Sequence, residues 1–324
     1  MRLLVCGGAG FIGSNFIRHI SKKYPDYSIT NLDLLTYAGN PANLDELKLD
    51  KNYSFVKGDI TDKKLVNKLF ARADLIINFA AETHVDRSIA DSAAFIHTNV
   101  VGAHTLLEAA RNNGGKRFHQ VSTDEVFGVL GPNDAPFNEQ TPYNPRSPYS
   151  ASKAAADHLA RAYFHTYNLP VTISNCSNNY GPYQFPEKLH GLFITNLIEG
   201  KKVPLYGDGL YRRDWLYVED HCEALDKIIH AGVPGETYCI GGDCEKTNLE
   251  ITDAILKLLG KDESYIEHVP DRPGHDRRYA IDFAKIKQEL KWAPRTSFAE
   301  GMKKTVEWYK KNERWWKPLK HKSA

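Results

Sequence analysis

The chain is predicted to be an α/β protein, a doubly wound parallel sheet followed by a smaller, mixed α/β C-terminal lobe. Three observations predict it. Short apolar runs alternate with stretches of helical period over the first 175 residues, a glycine-rich turn joins the first such pair, and beyond Asn175 the alternation breaks up among turn residues. The 324 residues suffice for one large domain or two smaller ones with an ample core.

The apolar strand over residues 2–6 runs into Gly7-Gly8-Ala9-Gly10-Phe11-Ile12-Gly13, and a helix over 14–24 follows with Phe16, Ile17 and Ile20 on one face. Glycines there allow a tight turn and a close backbone approach to a pyrophosphate, which the helix N-terminus then faces. The run fits both G-x-x-G-x-x-G (7, 10, 13) and G-x-G-x-x-G (8, 10, 13), so spacing does not choose a subclass. A second strand, 28–32, ends at Asp33, twenty residues past Gly13, where an acid accepts from the ribose hydroxyls of a dinucleotide. A carboxylate repels a 2′-phosphate and no arginine stands beside it, so NAD is expected rather than NADP.

The alternation continues. A strand over 53–56 leads to Gly58-Asp59-Ile60, with Asp59 placed to meet the adenine, and a helix covers 62–71. A strand over 75–79 is followed by the small Ala80 and Ala81, then by a long helix over 95–113. The strand over 118–121 ends in Ser122-Thr123-Asp124-Glu125, which puts hydroxyls and two acids at a carboxyl end, where open parallel sheets bind ligands. Ser147 suits an N-cap and Pro148 the first position of a helix running to about 167. Tyr149 and Lys153, four apart, share one face of it.

A tyrosine hydroxyl with its ordinary pKa of about 10 is a poor base at neutral pH. A lysine ammonium one turn away stabilises the phenolate, and an oxidised nicotinamide acts in the same direction. Either Ser122 or Thr123 is placed to bond the same substrate oxygen. A lone Y-x-x-x-K is most often a tyrosine packed beside a solvated lysine; the dinucleotide signals around this one favour chemistry.

After a strand over 171–175 the regularity fades. Short strands are expected near 203–206, 215–218 and 236–240, with helices near 220–230, 247–259 and 297–311. Residues 1–175 thus read as the dinucleotide domain and 176–324 as mainly a substrate lobe, with a segment at about 212–232 returning to the large sheet. The basic run over 315–322 reads as a solvated terminus. Charged residues make up 25% with a net charge of +2, so neither nucleic acid nor a membrane surface is an expected partner. No apolar run approaches the ~20 residues of a membrane span. The 13 histidines show no metal spacing, and no metal is expected. Five scattered cysteines without C-x-x-C, and a first apolar run lacking a cleavage site, point to reduced thiols in the cytoplasm.

These residues resemble the extended short-chain dehydrogenase/reductase family, whose fold is of Rossmann type, and within it the NAD-dependent nucleotide-sugar 4,6-dehydratases. The resemblance covers nearly the whole chain. It is carried by the runs Asp33 to Asn40, Ala80 to Ser88, Ser122 to Gly128, Asn175 to Leu189, Arg213 to His221 and Asp271 to Tyr279. Asp124-Glu125 is the most telling pair, since the related sugar-nucleotide 4-epimerases look similar elsewhere but lack it.

The resemblance implies dTDP-glucose as substrate. Tyr149 takes the O4 proton as C4 is oxidised; Glu125 then removes the C5 proton, and Asp124, kept protonated, gives a proton to the departing C6 hydroxyl. It also implies NAD contacts from Gly7, Gly10, Phe11, Ile12, Gly13, Asp33, Leu34, Leu35, Thr36, Asp59, Ile60, Phe79, Ala80, Ala81, Thr83, Thr98, Tyr149, Lys153 and Asn179. Thr83, Thr123 and Asn178 are assigned to the hexose, and Glu187, Lys188 and Leu189 to the path toward the diphosphate. Pro204 and Tyr206 would bracket the thymine, Arg213 and Arg272 clamp the pyrophosphate, and Asn248 and His275 complete the nucleotide site. A homodimer through a four-helix bundle of the helices near 95–113 and 148–167 is implied, as is a place in the making of deoxysugars such as rhamnose.

Three positions depart from the family pattern: Leu34, where lysine is usual; His190-Gly191, where Ile-Pro is typical; and Tyr211-Arg212, where smaller residues are common. The competing readings are a UDP-sugar 4-epimerase, a UDP- or CDP-sugar dehydratase, and a non-catalytic NAD sensor. The sensor is expected to have lost Tyr149, Lys153 or an acid, and all are present.

Overall fold

The computed structural model describes residues 1–271 and 276–320. Its strands are β1 (Arg2–Cys6), β2 (Ser28–Asp33), β3 (Tyr53–Lys57), β4 (Leu75–Asn78), β5 (Arg117–Thr123), β6 (Val171–Cys176), β7 (Asn178–Tyr180), β8 (Val203–Tyr206), β9 (Arg212–Tyr217), β10 (Thr237–Ile240), β11 (Glu245–Thr247) and β12 (Ile266–Val269). Its α-helices are α1 (Phe11–Lys23), α2 (Lys63–Phe70), α3 (Val85–Ala90), α4 (Ala93–Phe95), α5 (Ala103–Asn112), α6 (Pro148–Tyr167), α7 (Leu189–Ile198), α8 (Val218–Ala231), α9 (Asn248–Leu259), α10 (Ala284–Leu290), α11 (Phe298–Lys311) and α12 (Glu313–Lys320).

Seven strands form one parallel sheet in the order β10-β6-β5-β4-β1-β2-β3. The chain winds outward from β1 through β3, then crosses back to β4 and winds the other way. The strand order therefore reverses between β1 and β4, and the crevice at their carboxyl ends is where such sheets take ligands. Helices cover both faces, so β4 and β6 are buried along their whole length and read as continuous apolar runs. Along β1 successive side chains alternate. Leu3 and Val5 pack with Phe16, Ile17 and Ile20 of α1 and with α8, while Leu4 and Cys6 pack with Val66, Leu106 and Phe118.

The second unit has a three-stranded sheet, β11-β9-β7, and a parallel pair, β12-β8. Its core gathers Tyr180, Phe193, Ile194, Trp215, Ile251, Ile255, Met302, Tyr309 and Trp316.

Several elements differ from the sequence reading. The segment at 212–232 divides: β9 joins the small sheet, and only α8 returns, packed against α1. The strand that rejoins the large sheet is β10, whose four residues are all buried beside β6. The long helix expected over 95–113 begins as α4, widens into a π-helical stretch at Ile96–Gly102, and continues as α5. Asn99 in the wide turn exchanges two backbone hydrogen bonds with Glu82 and donates to Ser152, which ties that helix to the strand-end loop and to α6. The C-terminus is no solvated tail as far as Lys320. Trp316 is 0% exposed and Leu319 is buried, because Trp315, Trp316 and Leu319 give α12 an apolar side. Among the described residues no helix is long and apolar enough to cross a membrane.

Candidate active site

A cavity of about 350 Å³ lies at the carboxyl end of the large sheet and takes in the ends of β1, β2, β4, β5 and β6. Its floor is the first glycine turn. Gly7 has φ +79°, and a Cβ there would lie 2.5 Å from the Ala80 amide nitrogen; one on Gly13 would lie 2.4 Å from the Gly7 carbonyl oxygen. Only glycine lets the turn, the start of α1 and the end of β4 come together this closely.

Asp33 braces the turn. Its Oδ2 accepts from the Ala9 amide at 2.9 Å and its Oδ1 from the Leu35 amide at 2.8 Å. Burial raises its pKa, and the two amides pull it back. A glycine cradle with an ionisable acid at its rim fits an adenine dinucleotide, with phosphates over the turn and ribose at Asp33. Leu35 adopts φ +59° to supply its amide but does not line the cavity, so its part is backbone support of Asp33. Every other residue assigned above to NAD does line it.

The acids enter from β5. Thr123 ends the strand and caps the 3-10 turn Asp124–Phe127, accepting from the Glu125 amide at 3.3 Å and donating to Asp124 Oδ1 at 3.2 Å. Asp124 is 2% exposed, and its Oδ2 makes no hydrogen bond. Burial drives its pKa well above the usual carboxylate range, and the negative charges of Glu125 and Asp214 add to this. The Arg213 guanidinium and the Thr123 hydroxyl only partly offset them. Burial and the two neighbouring acids thus favour the protonated form of Asp124.

Tyr149 and Lys153 come from the first turns of α6. Ser147 caps that helix in a reciprocal pair with Ser150, and Pro148 opens it. Both side chains are buried. The two hydroxyls on β5 separate by strand alternation: Ser122 donates to Asp157 at 2.7 Å, while Thr123 hydrogen-bonds Tyr149. Thr123 is thus the hydroxyl beside the tyrosine. The protein's own groups act on the Tyr149 pKa. Burial raises it, Glu125 and Cys176 raise it further, and the Thr123 bond opposes them weakly. The Lys153 ammonium donates to the Val121 carbonyl at 2.7 Å, and burial lowers its own pKa against the pull of Asp157 and Cys176.

Of the sugar-side residues, Thr83, Thr123, Asn178, Glu187 and Lys188 line the cavity. Leu189, Pro204, Tyr206, Arg213 and Asn248 do not. Leu189 starts α7, Pro204 and Tyr206 sit two apart on β8, and Asn248 starts α9. Arg213 is buried on β9, donating to the carbonyls of Arg212 and Asp276 and lying 4.3 Å over the Tyr279 ring. Arg272 and His275 fall outside the described residues. The cavity also takes in Tyr37, Glu82, Cys176, Ser177, Gln184 and Phe185, which sequence reasoning missed. Cys176 was detectable: it ends β6 beside Thr123, at the same carboxyl edge.

A family model described as GDP-mannose 4,6 dehydratase matches residues 4–305. A dTDP-glucose 4,6-dehydratase of Streptomyces niveus is 51% identical, over 99% of this chain and 96% of that one. The crystal structure of DesIV, the dTDP-glucose 4,6-dehydratase of Streptomyces venezuelae, with NAD and TYD bound, is 50% identical at a TM-score of 0.95, covering 98% of this chain and 100% of that one. The dTDP-glucose 4,6-dehydratase of Bacillus anthracis in complex with NAD is 52% identical at a TM-score of 0.92, covering 98% and 99%. The family model's description carries a different sugar nucleotide from these full-length relatives, with which half the residues are shared end to end. By that measure the chain belongs to the dTDP-glucose 4,6-dehydratase family.

Proposed function

We infer that this chain converts dTDP-glucose to its 4-keto-6-deoxy derivative and water, using NAD that it holds throughout. The observation that carries the reading is the pair Asp124-Glu125 in one cavity with Tyr149, with Asp124 buried beside two other acids, which favours its protonated form.

When bound, NAD supplies the hydride acceptor for oxidation at C4 and returns that hydride to C6. Tyr149 receives the O4 proton, with Lys153 supplying the positive charge that favours the phenolate. The C4 ketone acidifies the C5 proton, which Glu125 removes. Asp124 protonates the leaving C6 hydroxyl, and water departs; as the hydride comes back to C6, Glu125 returns its proton to C5. Thr123 holds the Tyr149 hydroxyl in register. A 4-epimerase needs neither acid, and a sensor needs no protonated carboxyl in its cofactor cavity.

The second unit binds the nucleotide. Pro204 and Tyr206 project from the same face of β8, which suits a thymine ring, and Tyr206 is exposed. The chain acts as a homodimer through a four-helix bundle, a reading supported by exposed Ile96 and Val101 on the helices near 95–113 and exposed Tyr167 on α6. Five unpaired thiols suit the cytoplasm. The product is a precursor of deoxysugars of the rhamnose type.

The test is incubation of the purified protein with dTDP-glucose and, separately, UDP-glucose. A product lighter by one water, with base-induced absorbance of a 4-keto sugar from dTDP-glucose and little from UDP-glucose, is expected. A galactose epimer without water loss would overturn the reading.

A further inference from the structure

On α6 the spacing that aligns Tyr149 with Lys153 repeats once more and reaches Asp157, fully buried one turn deeper. Its Oδ2 accepts from the Ser122 hydroxyl at 2.7 Å, the Tyr143 hydroxyl at 3.0 Å and the Asn175 amide at 3.4 Å. Burial raises the Asp157 pKa, and the Lys153 charge, the Ser122 bond, the Arg161 charge and the Tyr143 bond oppose it, so the three donors on Oδ2 work in favour of the carboxylate. Oδ1 is buried and makes no hydrogen bond. Of these groups only Ser122 lines the cavity, and the acid-base scheme uses none of them.

Lys153 has the complementary problem. Its ammonium is buried and donates to one neutral carbonyl, that of Val121. A buried charge of this kind needs an opposite charge nearby to keep its proton. The groups that act on it are Asp157 on its own helix and the Cys176 thiol from β6. Burial pushes that thiol up to about 12, so at neutral pH it carries no charge. Around Asp157 itself stand two cations, Lys153 and then Arg161, whose guanidinium donates to the Tyr143 hydroxyl at 2.8 Å and the Thr237 hydroxyl at 3.3 Å while its charge also favours the Asp157 carboxylate.

We propose that Asp157 is a positioning residue for the reaction: its carboxylate, gripped by Ser122, Tyr143 and Asn175, keeps the proton on Lys153 and so sustains Tyr149 as a base. The coupling rests on two buried, oppositely charged groups one turn apart on α6; its catalytic consequence rests on the dehydratase reading.

Asp157→Asn keeps the shape and acceptor oxygen while removing the charge. Titration of the holoenzyme with 13C-labelled lysine side chains, with Lys153 assigned by its loss in Lys153→Met, should show the Lys153 midpoint lowered by about one pH unit in Asp157→Asn. The alkaline limb of single-turnover C4 oxidation, read as reduced nicotinamide absorbance, should move down by the same amount. A structural anchor would lower the rate at every pH and shift neither. Should Asp157→Asn not fold, Lys153→Met reports the same coupling from the other side, because linkage is reciprocal: the Asp157 carboxyl midpoint rises by about the same amount. An unchanged midpoint in the folded variant overturns the proposal. A shifted midpoint in a protein that never oxidises the sugar supports the coupling and removes the dehydratase reading instead.

Discussion

In the large sheet, the ends of five strands, far apart in the chain, meet at one cavity that holds both acids, Tyr149, Lys153 and the glycine turn. In the smaller unit Pro204 and Tyr206 on β8, Arg213 on β9 and Asn248 on α9 come from three separate elements, and none lines that cavity. The difference comes from topology. Parallel strands share one carboxyl edge, so residues at their ends are gathered by the fold itself. A three-stranded sheet of mixed direction beside a separate strand pair has no common edge, so its residues converge only through a ligand long enough to reach them. Arg213 is the exception, since its charge is felt at Asp124 across the boundary.

The sharpest test of the catalytic side is Asp124→Asn. Removing the general acid should cost about 10²–10⁴-fold in turnover while C4 oxidation persists, so reduced nicotinamide accumulates. Normal turnover would remove the acid role. Trp316→Ala probes the other unit's core: emptying a fully buried indole should destabilise by about 3–5 kcal/mol in chemical denaturation. NAD content should fall with it; unchanged content would mean the two regions are separable. Tyr206→Ala should raise KM for the sugar nucleotide about tenfold and leave kcat alone, as loss of uniform binding does. A fall in kcat would draw the small unit into the chemistry and break the contrast.

The smallest effect concerns stability. Asp124 has its pKa raised on folding, so its contribution is fully present below the unfolded value of about 3.9 and is lost as pH rises through the folded one. Asp124→Asn should therefore melt higher than the parent at pH 8, by about 2–5 °C, with the gap closing toward pH 4.

The parallel core was legible from the chain because its signals are local. Each strand is a short apolar run, and Gly7, Gly13 and Asp33 carry their own spacing. Where side chains point was less legible. Ser122 and Thr123 are adjacent and chemically alike, and only the pleat decides which one meets Tyr149. The burial and the Glu125 charge that raise the Tyr149 pKa were not legible either, because they depend on packing that spacing does not reveal. The three residues of β7 and the π-helical turn at Asn99 are held by tertiary bonds, without a periodic signal. Trp315 and Trp316 were outweighed in the sequence by the lysines around them.

One contact near the end of the chain reaches back to its beginning. The Trp315 indole donates to Asn43 Oδ1 at 2.8 Å, and the Asn43 amide donates to the Ala9 carbonyl, inside the glycine turn, at 2.9 Å. Beside it, Tyr183 packs tilted against Trp308 and edge-on to Trp315, and takes the Arg18 guanidinium of α1 on its face. During synthesis the glycine turn emerges long before α12. The turn is thus latched only after Trp315 has been made, and a nascent product cut short of that residue would leave with an unfastened grip on its coenzyme.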